Sequence, residues 1–318
     1  MKKLNRKTRL NISITIFIFF SVWSCNKSSN TGIDAQTSTL TYVLAHGSTT
    51  TIFNSAVVKA GLDSTFNGNS IFTLFVPNDQ ACNQSGYSQS VVSAFSRDQA
   101  RKWVLYQTYA GSALSLESFI GLSEKKLLMA DGDSIFITGD SNRTFVNGTQ
   151  LINSELKSSN GLMLALRYVL LPPKQNLDQM VGTDTSLTFF NAAIQSATST
   201  PENLNTMLST SGIYTLLAPD NDAFRNLGYN SPADVSQVNP DSLRSSVLLH
   251  MIPQRLFSYD VSDSSQFKTA NDSTLIFLLT GINAKVKVIG SAFSSNVIAI
   301  NGMAINGVLF KIDELLDR

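Results

Sequence analysis

The sequence predicts an α+β fold, present twice in tandem. Three observations lead there. First, TLFVPNDQAC at 73–82 returns as TLLAPDNDAF at 215–224, an offset of 142 residues. Second, in each copy the segments with helical periodicity come early and those with strand alternation come late, which is the order of an α+β domain. Third, 43% of the 318 residues are hydrophobic and only 15% are charged. That is enough apolar material for two cores of ordinary domain size.

The chain opens with a basic stretch, Lys2, Lys3, Arg6, Lys7 and Arg9. An apolar run from Ile12 to Phe20 follows, interrupted by Ser13 and Thr15, and then Ser21-Val22-Trp23-Ser24-Cys25. Residues 1–24 therefore read as an export signal, because the run is too short to span a bilayer. The position of Cys25 resembles the acylated cysteine of bacterial lipoproteins, which implies a lipidated N-terminus and an outer-membrane anchor. Residues 25–36, polar and small, read as a flexible tether.

Without the signal, 19 of the 24 basic residues face 23 acidic ones, a net charge of −4. A mildly acidic chain lacks the basic footprint of a nucleic-acid binder. One cysteine then remains beside Cys25. Cys82 has no internal disulfide partner and sits in an apolar motif, so a buried hydrophobe is expected.

Each copy is read in the same order, 37–173 for the first domain and 174–318 for the second. Phe53, Ala56, Val57 and Ala60, and then Phe189, Ala192, Ala193 and Ala197, recur at helical spacing. Phe53-Asn54-Ser55-Ala56 matches Phe190-Asn191-Ala192-Ala193 at an offset of 137. A short apolar strand follows, Ile71–Val76 or Ile213–Ala218, stopped by Pro77 or Pro219. The next residues, Asn78 and Asp79 or Asp220, are placed to cap a new helix. Ala100–Tyr109 and Leu243–Ile252 read as amphipathic helices. The last third of each copy alternates as strands, with Asn147-Gly148 and Asn301-Gly302 as hairpin turns. Gly161-Leu162-Met163-Leu164 returns as Gly307-Val308-Leu309-Phe310 at an offset of 146. Pro172 and Pro173 stiffen a short connection that should restrict relative motion of the two copies.

These motifs carry a resemblance. TLFVPNDQAC and TLLAPDNDAF resemble the first motif of the fasciclin (FAS1) family. LRSSVLLHMIP, with His250, resembles its central helix. NGLMLALRYVLLPP and NGVLFKIDELL resemble its closing strand. The resemblance covers residues 37–318. It implies tandem domains, each a β-wedge or sandwich flanked by helices, and extracellular adhesion or binding without a shared catalytic site. Pro77, Asn78, Asp79, Pro219, Asp220, His250, Gly161 and Gly307 are the matching motif positions, and their expected roles are mainly structural. The first copy departs from the family, with Cys82 in place of Phe, Gln107 where the second copy has His250, and no counterpart of Asp313.

No motif points to catalysis, a metal or a cofactor. The two histidines, His46 and His250, have no partner at zinc-ligand spacing. His250 lies in an apolar run, where an imidazole bonded to backbone is expected. Asp220-Asn221-Asp222 resembles the start of a calcium loop, but the sixth and twelfth positions are Arg225 and Ser231 rather than Gly and Glu. Asp63-Ser64-Thr65, Asp133-Ser134-Ile135, Asp241-Ser242-Leu243 and Asp272-Ser273-Thr274 resemble the O-glycosylation sites of Bacteroidota envelope proteins. The function expected is a non-catalytic envelope module that binds an extracellular protein or polysaccharide. The alternative is a carbohydrate-capture lipoprotein, which would need exposed aromatics along a groove, with Trp103, Tyr106 and Tyr109 as candidates.

Overall fold

A computed structural model describes residues 37–197 and 204–317. The export signal read at 1–24, the tether at 25–36 and Cys25 lie outside the described residues. The first copy contributes seven strands: β1 Phe72–Pro77, β2 Thr108–Ala110, β3 Lys125–Leu128, β4 Ser134–Gly139, β5 Thr144–Val146, β6 Thr149–Ser158 and β7 Gly161–Leu166. The second repeats them as β8 Tyr214–Pro219, β9 Met251–Ile252, β10 Gln266–Lys268, β11 Thr274–Thr280, β12 Asn283–Val288, β13 Ser295–Ala304 and β14 Gly307–Ile312. The sheets run β2-β1-β7-β6-β5-β4-β3 and β9-β8-β14-β13-β12-β11-β10, so both copies share one strand order. Every pairing is antiparallel except β1 with β7 and β8 with β14.

The parallel pair is the middle of each domain. β1 is buried along its whole length, as expected of a strand covered on both faces. Leu74, Val76 and Met163 face a cluster built with the helices, including Phe53, Ala56, Val57 and Trp103. Phe75, Leu164 and Leu166 face the other way, against Ile135, Ile137 and Val146 from the outer strands. The second copy divides in the same manner. Leu216, Ala218 and Leu309 lie on the helix side. Leu217, Val308 and Phe310 lie with Leu275, Phe277 and Val286. Register shifts in β6, between Leu151 and Glu155, and in β13, between Val297 and Gly302, bend the sheet so that its outer half folds back over the inner. The result is a wedge with helices on one flank.

The motif residues hold this frame. Asn78 accepts a hydrogen bond from Ala81 N (2.7 Å) and Asp220 one from Ala223 N (2.9 Å), capping the helices Asp79–Gln84 and Asn221–Asn226. Asp79 does something else. Its carboxylate accepts from Ile52 N and Thr51 Oγ1, both at 2.8 Å, and so caps the helix Thr51–Ala60 far back in the chain. Asn221 repeats this on Phe189 N and Thr188 Oγ1. In the closing motif Asn160 accepts from Leu40 N (2.8 Å) and donates to Phe66 O and Gly68 O. Asn306 accepts from Leu177 N (2.9 Å) and donates to Leu208 O. Gly161 and Gly307 follow because a Cβ there would stand 2.0 Å from Phe72 O and Tyr214 O respectively.

Three expectations need correcting. The helices expected at Ala100–Tyr109 and Leu243–Ile252 are Arg97–Leu105 and Pro240–Leu249. Thr108 and Met251 already belong to β2 and β9, whose pairing with β1 and β8 draws the chain out of the helix. Asn301-Gly302 is no hairpin turn. It lies inside β13, where Asn301 takes φ 59° at the register shift. Asn147-Gly148 does join β5 to β6, with φ 48° and 80°. Among the described residues no helix is long and apolar enough to cross a membrane. The described residues fall within one compact unit.

Replacing Gly161 or Gly307 by Ala should destabilise the protein by about 3 kcal/mol or more, since the strand pair must part to admit the methyl group. Urea unfolding measures this. A loss under about 1 kcal/mol for both variants would show that the close approach is not required.

Candidate functional site

The two imidazoles are engaged within the fold. His250 is fully buried. Its Nδ1 lies 2.8 Å from Ser246 O, and its Nε2 accepts from Leu316 N at 3.0 Å. Both ring nitrogens are engaged by backbone, and burial pulls its pKa down to about 4. His46 is exposed, stacked on Tyr42 at 4.0 Å, with Nδ1 2.8 Å from Tyr42 O. Cys82 is fully buried, and burial, followed by the charge of Asp79, pushes its thiol up to about 12. A thiol so poorly ionised is a packing residue. Among the described residues no cluster of His, Cys, Asp and Glu could hold a metal ion.

The helix ends compare directly. Gln107 donates from Nε2 to Trp103 O (3.1 Å), four residues back, as His250 bonds to Ser246 O. Gln107 therefore stands in the place of His250, and Trp103 stands in the place of Ser246. At the first motif Cys82 stands where Phe224 packs on Phe189 and Tyr229. The first copy has lost an aromatic from that position and gained one at Trp103, beside Phe53, Tyr87 and Phe95 at 5.6, 5.6 and 6.1 Å.

The two copies meet through the β5–β6 turn of the first, the irregular stretch of β13 in the second and a layer of rings. Asn301 donates to Gly148 O (3.3 Å). Its side chain packs so closely that a Cβ on Gly148 would come within 2.6 Å of it. Tyr259 stacks on Phe145 at 4.3 Å with an interplanar angle of 18°. The Arg255 guanidinium lies 4.3 Å over the Phe136 ring and donates to Gly307 O at 2.7 Å. A desolvated guanidinium gains from both contacts. Burial raises the carboxyl of Glu124, helped by Asp260 and opposed by Arg255, and burial also raises Asp260.

Beside this contact, where Pro172 and Pro173 carry the chain across, opens a cleft of about 660 Å³. Trp103, Tyr87 and Phe95 wall it from the first copy, and Met180 and Met303 from the second. Its charged lining residues are Lys102 and Lys174.

Of the aromatics expected along a groove, only Trp103 reaches it. Tyr106 is in the core, 0% exposed, bonded to Ser134 O and Asn147 Nδ2, and Tyr109 lies in β2 rather than on a helix. The phenol of Tyr106 is apolar-packed because the helix has ended and the chain turns inward to start β2. Pro77 and Pro219 close β1 and β8, and Gly161 and Gly307 open β7 and β14. None of the motif residues Pro77, Asn78, Asp79, Pro219, Asp220, Gly161, Gly307 or His250 lines the cleft. Tyr87, Phe95 and Met180 were not legible as site residues: Tyr87 and Phe95 pack on Trp103 within the first copy, and only the docking of the two copies brings Met180 to them.

The buried imidazole has a pH consequence. The unfolded chain protonates His250 near 6.5 and the folded chain near 4. Above 6.5 both are neutral and the stability from this residue is complete. Between 6.5 and 4 only the unfolded chain gains a proton, so stability falls as pH falls, by about 3 kcal/mol at the lower end. His250→Gln keeps a donor for Ser246 O and an acceptor for Leu316 N, and should flatten that slope. Urea midpoints from pH 7 to 4 compare the two proteins. Parallel curves would remove His250 as the source.

A sequence profile of the fasciclin domain matches residues 48–172 and 185–318. The transforming growth factor-beta-induced protein ig-h3 of Sus scrofa is 26% identical over 174 residues, covering 54% of this chain and 23% of that protein. Its Oryctolagus cuniculus counterpart is 25% identical over 171 residues, again covering 54% and 23%. The chain thus spans about a quarter of the length of these relatives. A solved domain pair from the insect cell adhesion molecule fasciclin I aligns with a TM-score of 0.41 and 14% identity, over 84% of this chain and 96% of that one. With both copies matched and most of its length covered, the chain belongs to the fasciclin domain family, as a tandem pair.

Proposed function

We propose that the chain is a non-catalytic adhesion or binding module of the cell envelope. Its two fasciclin domains would be presented to an extracellular protein or polysaccharide by a lipid anchor at Cys25, on the outer membrane. The observation that carries this reading is the duplication itself. Both copies keep the same frame of caps, closing asparagines and parallel strands, while their polar side chains serve the fold. That leaves surfaces and junctions for recognition, and tandem domains anchored in many copies gain from multivalency. The N-terminal sequence supports export and lipidation.

A second reading, carbohydrate capture for glycan uptake, is favoured by one feature. The junction cleft has an aromatic wall in Trp103, Tyr87 and Phe95, and sugar rings stack on such faces.

Residues 26–318 screened against polysaccharides and extracellular-matrix proteins should give a saturable protein or glycan hit that needs both domains. A glycan hit abolished by substitutions in the cleft would favour capture. No hit in either class would sink both readings. In the intact cell, Cys25→Ala should move the protein from the membrane fraction to the soluble one. Retention in the membrane would refute the lipid anchor.

A further inference from the structure

The cleft at the junction has the character of a small-molecule site. Its volume of about 660 Å³ falls in the range of pockets that enclose a compact organic ligand. Its walls are largely apolar, with Trp103, Pro172, Met180 and Met303 contributed by both copies and the connection between them. No carboxylate lines it, whereas Lys102 and Lys174 do, and both are exposed. Asp131 lies within electrostatic reach of Lys102 but off the cleft wall. Neither lysine is in a salt bridge among the described residues.

Trp103 is 7% exposed, and its indole N–H has no hydrogen-bond partner among the described residues. An unpaired buried donor costs stability, and the fold does not demand it. The second copy places Ser246 at the same point of its helix and makes the same backbone bond there. The indole is thus a feature of the first copy, on the wall of a cavity to which the first copy contributes Lys102 and the second Lys174, Met180 and Met303.

We infer that the junction cleft binds a small amphipathic acid, its ring-bearing apolar body packed between Trp103 and Met180 and its anionic group held at Lys102 and Lys174. This is separate from adhesion through the outer surfaces, so either can fail without the other. Binding would also bridge the two copies, since each supplies one wall.

The test uses residues 26–318, which hold the whole compact unit and in which Trp103 is the single tryptophan. The anionic probe is 1-anilinonaphthalene-8-sulfonate. Its neutral counterpart, lacking the sulfonate, is N-phenyl-1-naphthylamine. Both accept excitation energy from tryptophan. Saturable single-site transfer from Trp103 to the anionic probe is expected, with the neutral probe about ten-fold weaker. Lys102→Glu combined with Lys174→Glu should weaken the anionic probe by about ten-fold and spare the neutral one. Both lysines are exposed, and circular dichroism checks that the variant is folded. 2-Naphthoate should displace the anionic probe. Absent or unsaturable transfer would overturn the inference, as would equal affinity for the two probes, or an unchanged affinity in the lysine variant. Displacement by an oligouronide but not by naphthoate would likewise overturn it and assign the cleft to a glycan.

Discussion

Everything in each domain hangs on one parallel strand pair whose members lie far apart in sequence. β1 and β7 are joined in register from Phe72–Gly161 to Pro77–Leu166, and β8 and β14 from Tyr214–Gly307 to Pro219–Ile312. Such pairing closes a long loop before any contact rewards it. The closing motif offsets that cost at a single point. The glycine lets the returning strand approach Phe72 O or Tyr214 O, and the asparagine before it ties down the helix that begins the domain. The helices, the bulged β6 and β13 and the second core are then hung from a completed centre.

Because this frame is so constrained, the copies differ where it leaves freedom. Gln107 and His250 are different chemistries performing the same backbone bond at a helix end. Cys82 and Phe224 occupy the same motif position in cores that are closed in both cases. The aromatic bulk given up at Cys82 has a counterpart in Trp103, which belongs to the same core cluster and also walls the cleft. Replacing an aromatic at one core position is tolerated when volume is restored nearby. Here the restored volume changes the surface that the first copy offers to the second.

Much of the fold was legible because its signals are local or repeated. The duplicated motifs, the proline that ends β1 and β8, and the Asn78 and Asp220 caps all act within a few residues. Helix ends were read too far because β2 and β9 are three and two residues long, too short to show alternation. Asp79 looked like a cap for the helix that follows it, yet it caps Thr51–Ala60, a partnership that sequence order hides. Asn301-Gly302 carries the composition of a tight turn, but its neighbours pair on through it as a bulge. Tyr106 resembled a groove aromatic by helical spacing, but the helix stops one residue before it. Of the junction, only the Pro172-Pro173 connection and Trp103 were legible. Arg255, Phe136 and Tyr259 lie in unremarkable loop or strand contexts, and their meaning appears only when the copies dock.

That docking shifts where recognition is to be sought. A single fasciclin domain spends its polar motif residues on its own backbone, and neither buried His250 nor buried Cys82 is left with chemistry to offer. Two domains joined by two prolines add something neither has. Arg255 is buried across the junction, between Phe136 and the carbonyl of Gly307, with Tyr259 stacked on Phe145. The ring contact and the carbonyl bond offset the cost of desolvating this cation, and both contacts with the first copy's rings are lost if the copies separate. A cleft that is already formed before a ligand enters lowers the ordering cost of binding. The duplication therefore gives this chain a cleft lined by both copies, which neither copy could form alone.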